Sequence, residues 1–139
     1  MKKFLPLIFL SIFILTGCEF ALDKASAVVF FSSSLITKET FKPDIIEENF
    51  KTGELINYCI YAKEPFGTSE GRIQIIKKEP KARVLGYSLY QANDIILNPS
   101  KNSYTGSFTV YSEGFYLLRV FTKNSPEQPI AQRTFWVEE

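Results

Sequence analysis

Apolar and polar residues alternate with a period of two along most of this chain, and no stretch sustains the spacing of an amphipathic helix over three turns. Ile56, Tyr58, Ile60 and Ala62 alternate with Asn57, Cys59 and Tyr61. Ile73 and Ile75 alternate with Arg72, Gln74 and Ile76, and Leu85, Tyr87 and Leu89 with Gly86, Ser88 and Tyr90. The same rhythm returns at Tyr104, Gly106, Phe108 and Val110, at Tyr116, Leu118 and Val120, and at Ala131, Arg133, Phe135 and Val137. Successive side chains of a strand point to opposite faces, so this period predicts half-buried strands. Turn-forming residues separate them: Glu64–Gly71, Asn98-Pro99-Ser100, Ser112-Glu113-Gly114 and Lys123–Pro129. Ala27–Phe31, ended by Ser32-Ser33-Ser34, reads as a further short strand. Ile95-Ile96-Leu97 reads as another. Ile45, Ile46 and Phe50 fit either one helical turn after Pro43 or a first strand of the fold. Many short alternating strands between Gly, Pro and Asn turns predict an all-β sandwich or barrel.

Composition narrows the chemistry. The chain has 139 residues, enough for one domain with its own core. It has no His, which removes His-based triads, His metal ligands and the usual general base near neutral pH. Cys18 and Cys59 are the two cysteines, too few for a structural zinc site built on cysteine. Asp occurs only at 23, 44 and 94, too sparse for a calcium loop. The acid pairs Glu47-Glu48 and Glu138-Glu139 would point to opposite faces of a strand, which makes neither a natural dyad. No Ser-x-x-Lys, Gly-x-Ser-x-Gly or Gly-rich phosphate motif is present. The expectation is a protein with no catalytic residue, no metal and no cofactor. Basic residues form no block and the formal net charge is +1, which argues against nucleic acid as a partner.

The N-terminus is separate from the alternating region. Lys2 and Lys3 precede Phe4–Leu15, an uncharged run of 12 residues, followed by Thr16-Gly17-Cys18. That order matches the charged, apolar and small-residue regions of an export signal. Twelve apolar residues are too few to span a hydrocarbon core about 30 Å thick. Leu15-Thr16-Gly17-Cys18 resembles the lipobox of bacterial lipoprotein precursors. The resemblance implies cleavage before Cys18 and acylation of its sulfur and new amine. It divides the chain into a signal peptide (1–17), a lipidated tether (18–26) and a β-domain (27–139). Without Lys2 and Lys3 the basic count falls to 14 against 15 acids. Glu19 follows Cys18 where an Asp would favour the inner membrane of a two-membrane envelope, so the outer membrane is favoured over the inner or plasma membrane. With Cys18 acylated, Cys59 has no partner within the chain, and its flanks Tyr58 and Ile60 suit a small buried side chain.

Tyr104-x-Gly106-x-Phe108-x-Val110 followed by Gly114-x-Tyr116-x-Leu118-x-Val120 resembles the late strands of exported bacterial immunoglobulin-like domains. The resemblance implies an immunoglobulin-like antiparallel β-sandwich of about seven strands, with Tyr116 as a corner residue and Phe108 in the core. The short link between the two runs also fits a plain hairpin, which would favour a meander or barrel. Phe115, Leu117, Arg119 and Phe121 share the face opposite Tyr116, and in a hairpin Tyr111 would join them. Three large apolar side chains are unusual on a solvated face. Either the Ala27–Phe31 strand or another element covers them, or they form a partner-binding surface with Arg119, Tyr111 and Tyr61 at its rim. A lipid-anchored binding or assembly module is the first functional expectation; a carrier of an apolar small molecule is the second.

Replacing Cys18 by Ala is expected to abolish lipid attachment and leave unprocessed precursor. Intact mass spectrometry of the mature wild-type protein checks this, and a free Cys18 thiol at a mature N-terminus would contradict it.

Overall fold

The computed structural model describes residues 26–42, 47–79 and 86–139. The expected signal peptide, Cys18, nearly all of the expected tether, Ile45, Ile46 and the start of the Leu85–Tyr90 run lie outside the described residues. Among the described residues eight strands form: β1 (Ala27–Ser32), β2 (Asn49–Lys51), β3 (Leu55–Ala62), β4 (Glu70–Lys78), β5 (Tyr87–Ile96), β6 (Ser103–Thr109), β7 (Gly114–Thr122) and β8 (Ala131–Glu138). They make two sheets, one ordered β1-β3-β6 and the other β2-β8-β7-β4-β5. The chain is therefore an all-β, immunoglobulin-like sandwich: the alternation predicts a sandwich or barrel, and the resemblance of the Tyr104–Val120 stretch implies the immunoglobulin-like form.

Three details depart from the sequence reading. Eight strands form where about seven were expected, because Asn49–Lys51 pairs with β8 as a three-residue strand. That pair is parallel, so the sandwich is not wholly antiparallel. Tyr87–Leu89 and Ile95-Ile96 belong to one ten-residue strand rather than two. A register shift falls between the Ile75–Gln91 and Ile76–Leu89 partners, so Tyr90 is the extra residue of a bulge. The bulge interrupts the alternation, which is why the strand reads as two pieces.

Inward residues meet between the sheets. Val29, Phe31, Ile56, Tyr58, Ile60 and Phe108 come from the three-stranded sheet; Ile75, Tyr116, Leu118, Val120, Phe135 and Val137 come from the other. Phe31, Phe50, Phe108 and Phe135 contact one another with ring centroids 5.1–6.3 Å apart, and Tyr116 stacks on Phe135 at 5.4 Å. Each such ring contributes about 1.5–3 kcal/mol through burial.

The sheets are joined at a corner. Val110–Glu113 carries the chain from β6, paired with β3, to β7, paired with β4 and β8. Tyr116, fully buried, donates its hydroxyl to the Ser112 carbonyl at 2.7 Å, and the Ser112 hydroxyl lies 2.7 Å from the Tyr116 hydroxyl oxygen. The phenol oxygen is thus satisfied inside the core, which removes the cost of burying a polar group. Gly114 opens β7 at φ +150°, and a Cβ there would meet Lys77 Cε at 2.7 Å. The corner excludes the hairpin alternative, and both Tyr116 and Phe108 are core residues as expected.

Gly106 lies opposite Tyr58 in register, and a Cβ there would come within 2.5 Å of the Tyr58 hydroxyl oxygen. Burial pushes the Tyr58 phenol above its ordinary value, with Tyr104 adding to the shift. Gly106→Ala is expected to cost about 1–3 kcal/mol by overpacking, read as a fall in melting temperature. Combined with Tyr58→Leu, which removes the clash, the two losses should be strongly non-additive. Simple additivity would contradict this placement.

Candidate functional site

Outward residues of β7 are Phe115, Leu117, Arg119 and Phe121, each half-buried, whereas Tyr116, Leu118 and Val120 are fully buried. Their neighbours follow from register. Phe115 pairs with Trp136 and Leu117 with Thr134 on β8; Leu117 pairs with Ile76, Arg119 with Gln74 and Phe121 with Arg72 on β4. Ile76 in turn pairs with Leu89 on β5. A row therefore crosses the five-stranded sheet: Trp136, Phe115, Leu117, Ile76 and Leu89. Trp136 is 51% exposed and Leu89 62%. The Phe115 and Trp136 rings lie 4.6 Å apart, a pairing that adds about 0.5–1.5 kcal/mol beyond buried area.

Two cations stand in this row's margins. Lys78 Nζ is 5.9 Å from the Phe115 ring, and the Arg119 guanidinium carbon is 5.4 Å from the Phe121 ring. Arg119 Nη2 donates to Gln74 Oε1 at 2.7 Å. Its Nε is buried without a hydrogen-bond partner among the described residues. A surface depression of about 520 Å³ adjoins Arg119, lined also by Gln74, Phe121, Pro126 and Glu127.

The structure brings together four of the residues singled out in the sequence and separates two. Tyr111 is 76% exposed but sits in the corner segment, with its backbone N–H donating to the Tyr90 hydroxyl at 3.1 Å. It does not share the β7 face, because β6 and β7 lie in different sheets. Tyr61 is on the outer side of the three-stranded sheet, so it does not join that rim either. Of the alternatives left open for this face, cover by the Ala27–Phe31 strand is not the one that forms. β1 pairs with β3 in the opposite sheet and turns Ala27, Val29 and Phe31 into the core. Trp136, Ile76 and Leu89 belong to the row but were missed. Trp136 alternates visibly with Phe135 and Val137, so pairing the last two strands would have found it. Leu89 was hidden by the bulge.

Other chemistry-bearing groups are held in structural roles. Cys59 is buried, and burial pushes its thiol above the ordinary cysteine value, away from the reactive thiolate. Ser112 has both its hydroxyl and its carbonyl engaged with Tyr116. Among the described residues, no three His, Cys, Asp or Glu side chains gather to hold a metal ion.

No protein-family model matches this chain, and no curated protein is found similar to it. Solved structures do resemble it. The soluble domain of PmoD from Methylocystis shares 15% identity over 81% of this chain and 90% of that one, with a TM-score of 0.49. An immunoglobulin-like protein from Pseudomonas aeruginosa shares 10% over 83% and 98%, at 0.46. A superoxide reductase (neelaredoxin) variant from Ignicoccus hospitalis shares 10% over 86% and 87%, also at 0.46. All three scores lie below 0.5; the class of immunoglobulin-like sandwich rests on the sheet topology itself.

Leu117→Ser and Phe121→Ser are expected to change stability by no more than about 1 kcal/mol, because both side chains lie on the outer face. Leu118→Ser, one position away, should cost about 2–5 kcal/mol. Thermal denaturation of the three variants checks this, and a large loss for Leu117→Ser would mean that the face is covered.

Proposed function

We propose that this chain is a lipid-anchored, non-catalytic module of the bacterial cell envelope that holds a protein partner on the outer face of its five-stranded sheet. The observation that carries the reading is the row of Trp136, Phe115, Leu117, Ile76 and Leu89, with Lys78 and Arg119 at its margins. Aromatic residues and Arg are enriched at interfaces, and an apolar row rimmed by polar groups is the usual form of a docking surface. The lipobox at Leu15–Cys18 supports the anchor. Two or three acyl chains satisfy the two-signal requirement for stable attachment. Ala27 follows Cys18 by nine residues, a reach of about 30 Å when fully extended. An outer-membrane anchor fits Glu19.

A photocrosslinking amino acid placed at Leu117 in intact cells tests the proposal. The expected result is a discrete, protease-sensitive adduct, lost when Phe115 is also changed to Ser. The same amino acid at Thr105, on the outer side of the other sheet, should give none. Equal labelling at both sites, or no protein adduct from Leu117, would overturn it.

A further inference from the structure

β5 ends the five-stranded sheet, and among the described residues no strand pairs with its outer edge. It is ten residues long and contains neither Lys nor Pro, two residues that commonly guard an edge against pairing. Its single charge, Asp94, is bound by Arg72 of the neighbouring strand at 2.8 Å, and that contact holds the carboxyl below its ordinary pKa. The other edge strands also lack Lys or Pro, or are only three residues long, but differ in length and in the side chains they expose. β2 has three residues, and the Val29 carbonyl of β1 accepts a hydrogen bond from Arg133 Nη1 at 3.0 Å. β6 has seven residues, with Ser103, Thr105 and Ser107 as its exposed side chains.

The side chains of β5 are arranged so that the strand complements itself. Leu89, 62% exposed, and Ile96, 85% exposed, stand near its two ends. The bulge at Tyr90 leaves Gln91–Ile96 as the regular stretch. A two-fold axis at Asn93 would run that stretch antiparallel to its copy. Asn93 would then face Asn93, Asp94 would face Ala92, and Ile96 would lie across from Tyr90 and beside Leu89. No like charges are set directly opposite one another, and the most exposed apolar side chains of the strand cover each other.

We infer that the β5 edge pairs with the β5 edge of a second copy of this chain, joining two five-stranded sheets into one continuous sheet. The pairing is isologous, as a closed two-fold requires. It would also join the apolar rows of both copies, since Leu89 ends each row. The inference goes beyond the partner-binding reading and stands without it. Confinement of anchored copies to one membrane would favour it by raising their effective concentration.

Disulfide trapping of the full chain in intact cells, under mild oxidation, tests it. Opposed residues of an antiparallel pair have Cα atoms about 4.5–5.5 Å apart, within disulfide range. Asn93→Cys is exposed and should fold normally. It is expected to give a disulfide-linked dimer at least several-fold more abundant than Ser88→Cys or Gln132→Cys. Adding Ala92→Pro, which removes an edge N–H, should reduce that dimer; trapping unaffected by Ala92→Pro would contradict pairing through the backbone. Equal trapping at all three positions, or no dimer from Asn93→Cys, would overturn the inference. Membrane fractionation of the same cells reports the anchor separately: an anchored protein that fails to crosslink refutes only the pairing, and a crosslinked protein found unanchored refutes only the anchor.

Discussion

The Tyr116 hydroxyl bonds the Ser112 carbonyl where the chain steps from one sheet to the other, and the orientation of β7 follows from that bond. With the phenol held inside the core, Leu118 and Val120 must also point inward, and Phe115, Leu117, Arg119 and Phe121 must point out. A slip of one residue would turn the whole set over. It would turn the Arg119 guanidinium into the core and expose Tyr116. β7 lies in the middle of its sheet, with β4 and β8 on its flanks, so its register also sets which residues of those strands join the outer row.

That outer row is the consequence with functional meaning. Large apolar side chains line both faces of the central strand, one set sealed between the sheets and the other half-buried by its neighbours. Strands covered on both faces read as continuous apolar runs, and Phe115–Phe121 is such a run apart from Arg119. The second face therefore has the composition of a covered surface. In the reading proposed above, a protein partner supplies the cover. Arg119 and Lys78, set over aromatic rings, would give such a partner a preference for acidic groups.

Local signals in the sequence carried much of this, and non-local ones carried the rest. The inward parity of Tyr116, Leu118 and Val120, the core position of Phe108 and the grouping of Phe115, Leu117, Arg119 and Phe121 are all legible within single strands. The Gly-x-Tyr pair marked the corner correctly. What failed was pairing between strands. A four-residue link looks like a hairpin loop, yet Val110–Glu113 crosses between sheets, with β6 pairing with β3 and β7 with β4 and β8. Tyr111 was grouped with Arg119 on that account; Tyr61 was added only as a residue type common at interfaces. The bulge at Tyr90 broke one strand's alternation in two, and β2 exists only because β8 is beside it. Cys18 is legible as a motif and lies outside the described residues.

Trp136 is the chain's one tryptophan, and it stands in the outer row against Phe115. Acrylamide quenching of its fluorescence therefore reads the state of that face directly. In the purified protein the account predicts red-shifted emission that acrylamide quenches readily, with little loss of melting temperature when Phe115 or Leu117 is made polar. Blue-shifted emission protected from acrylamide would show a face already sealed within the molecule, and would contradict the claim that it is open to a partner.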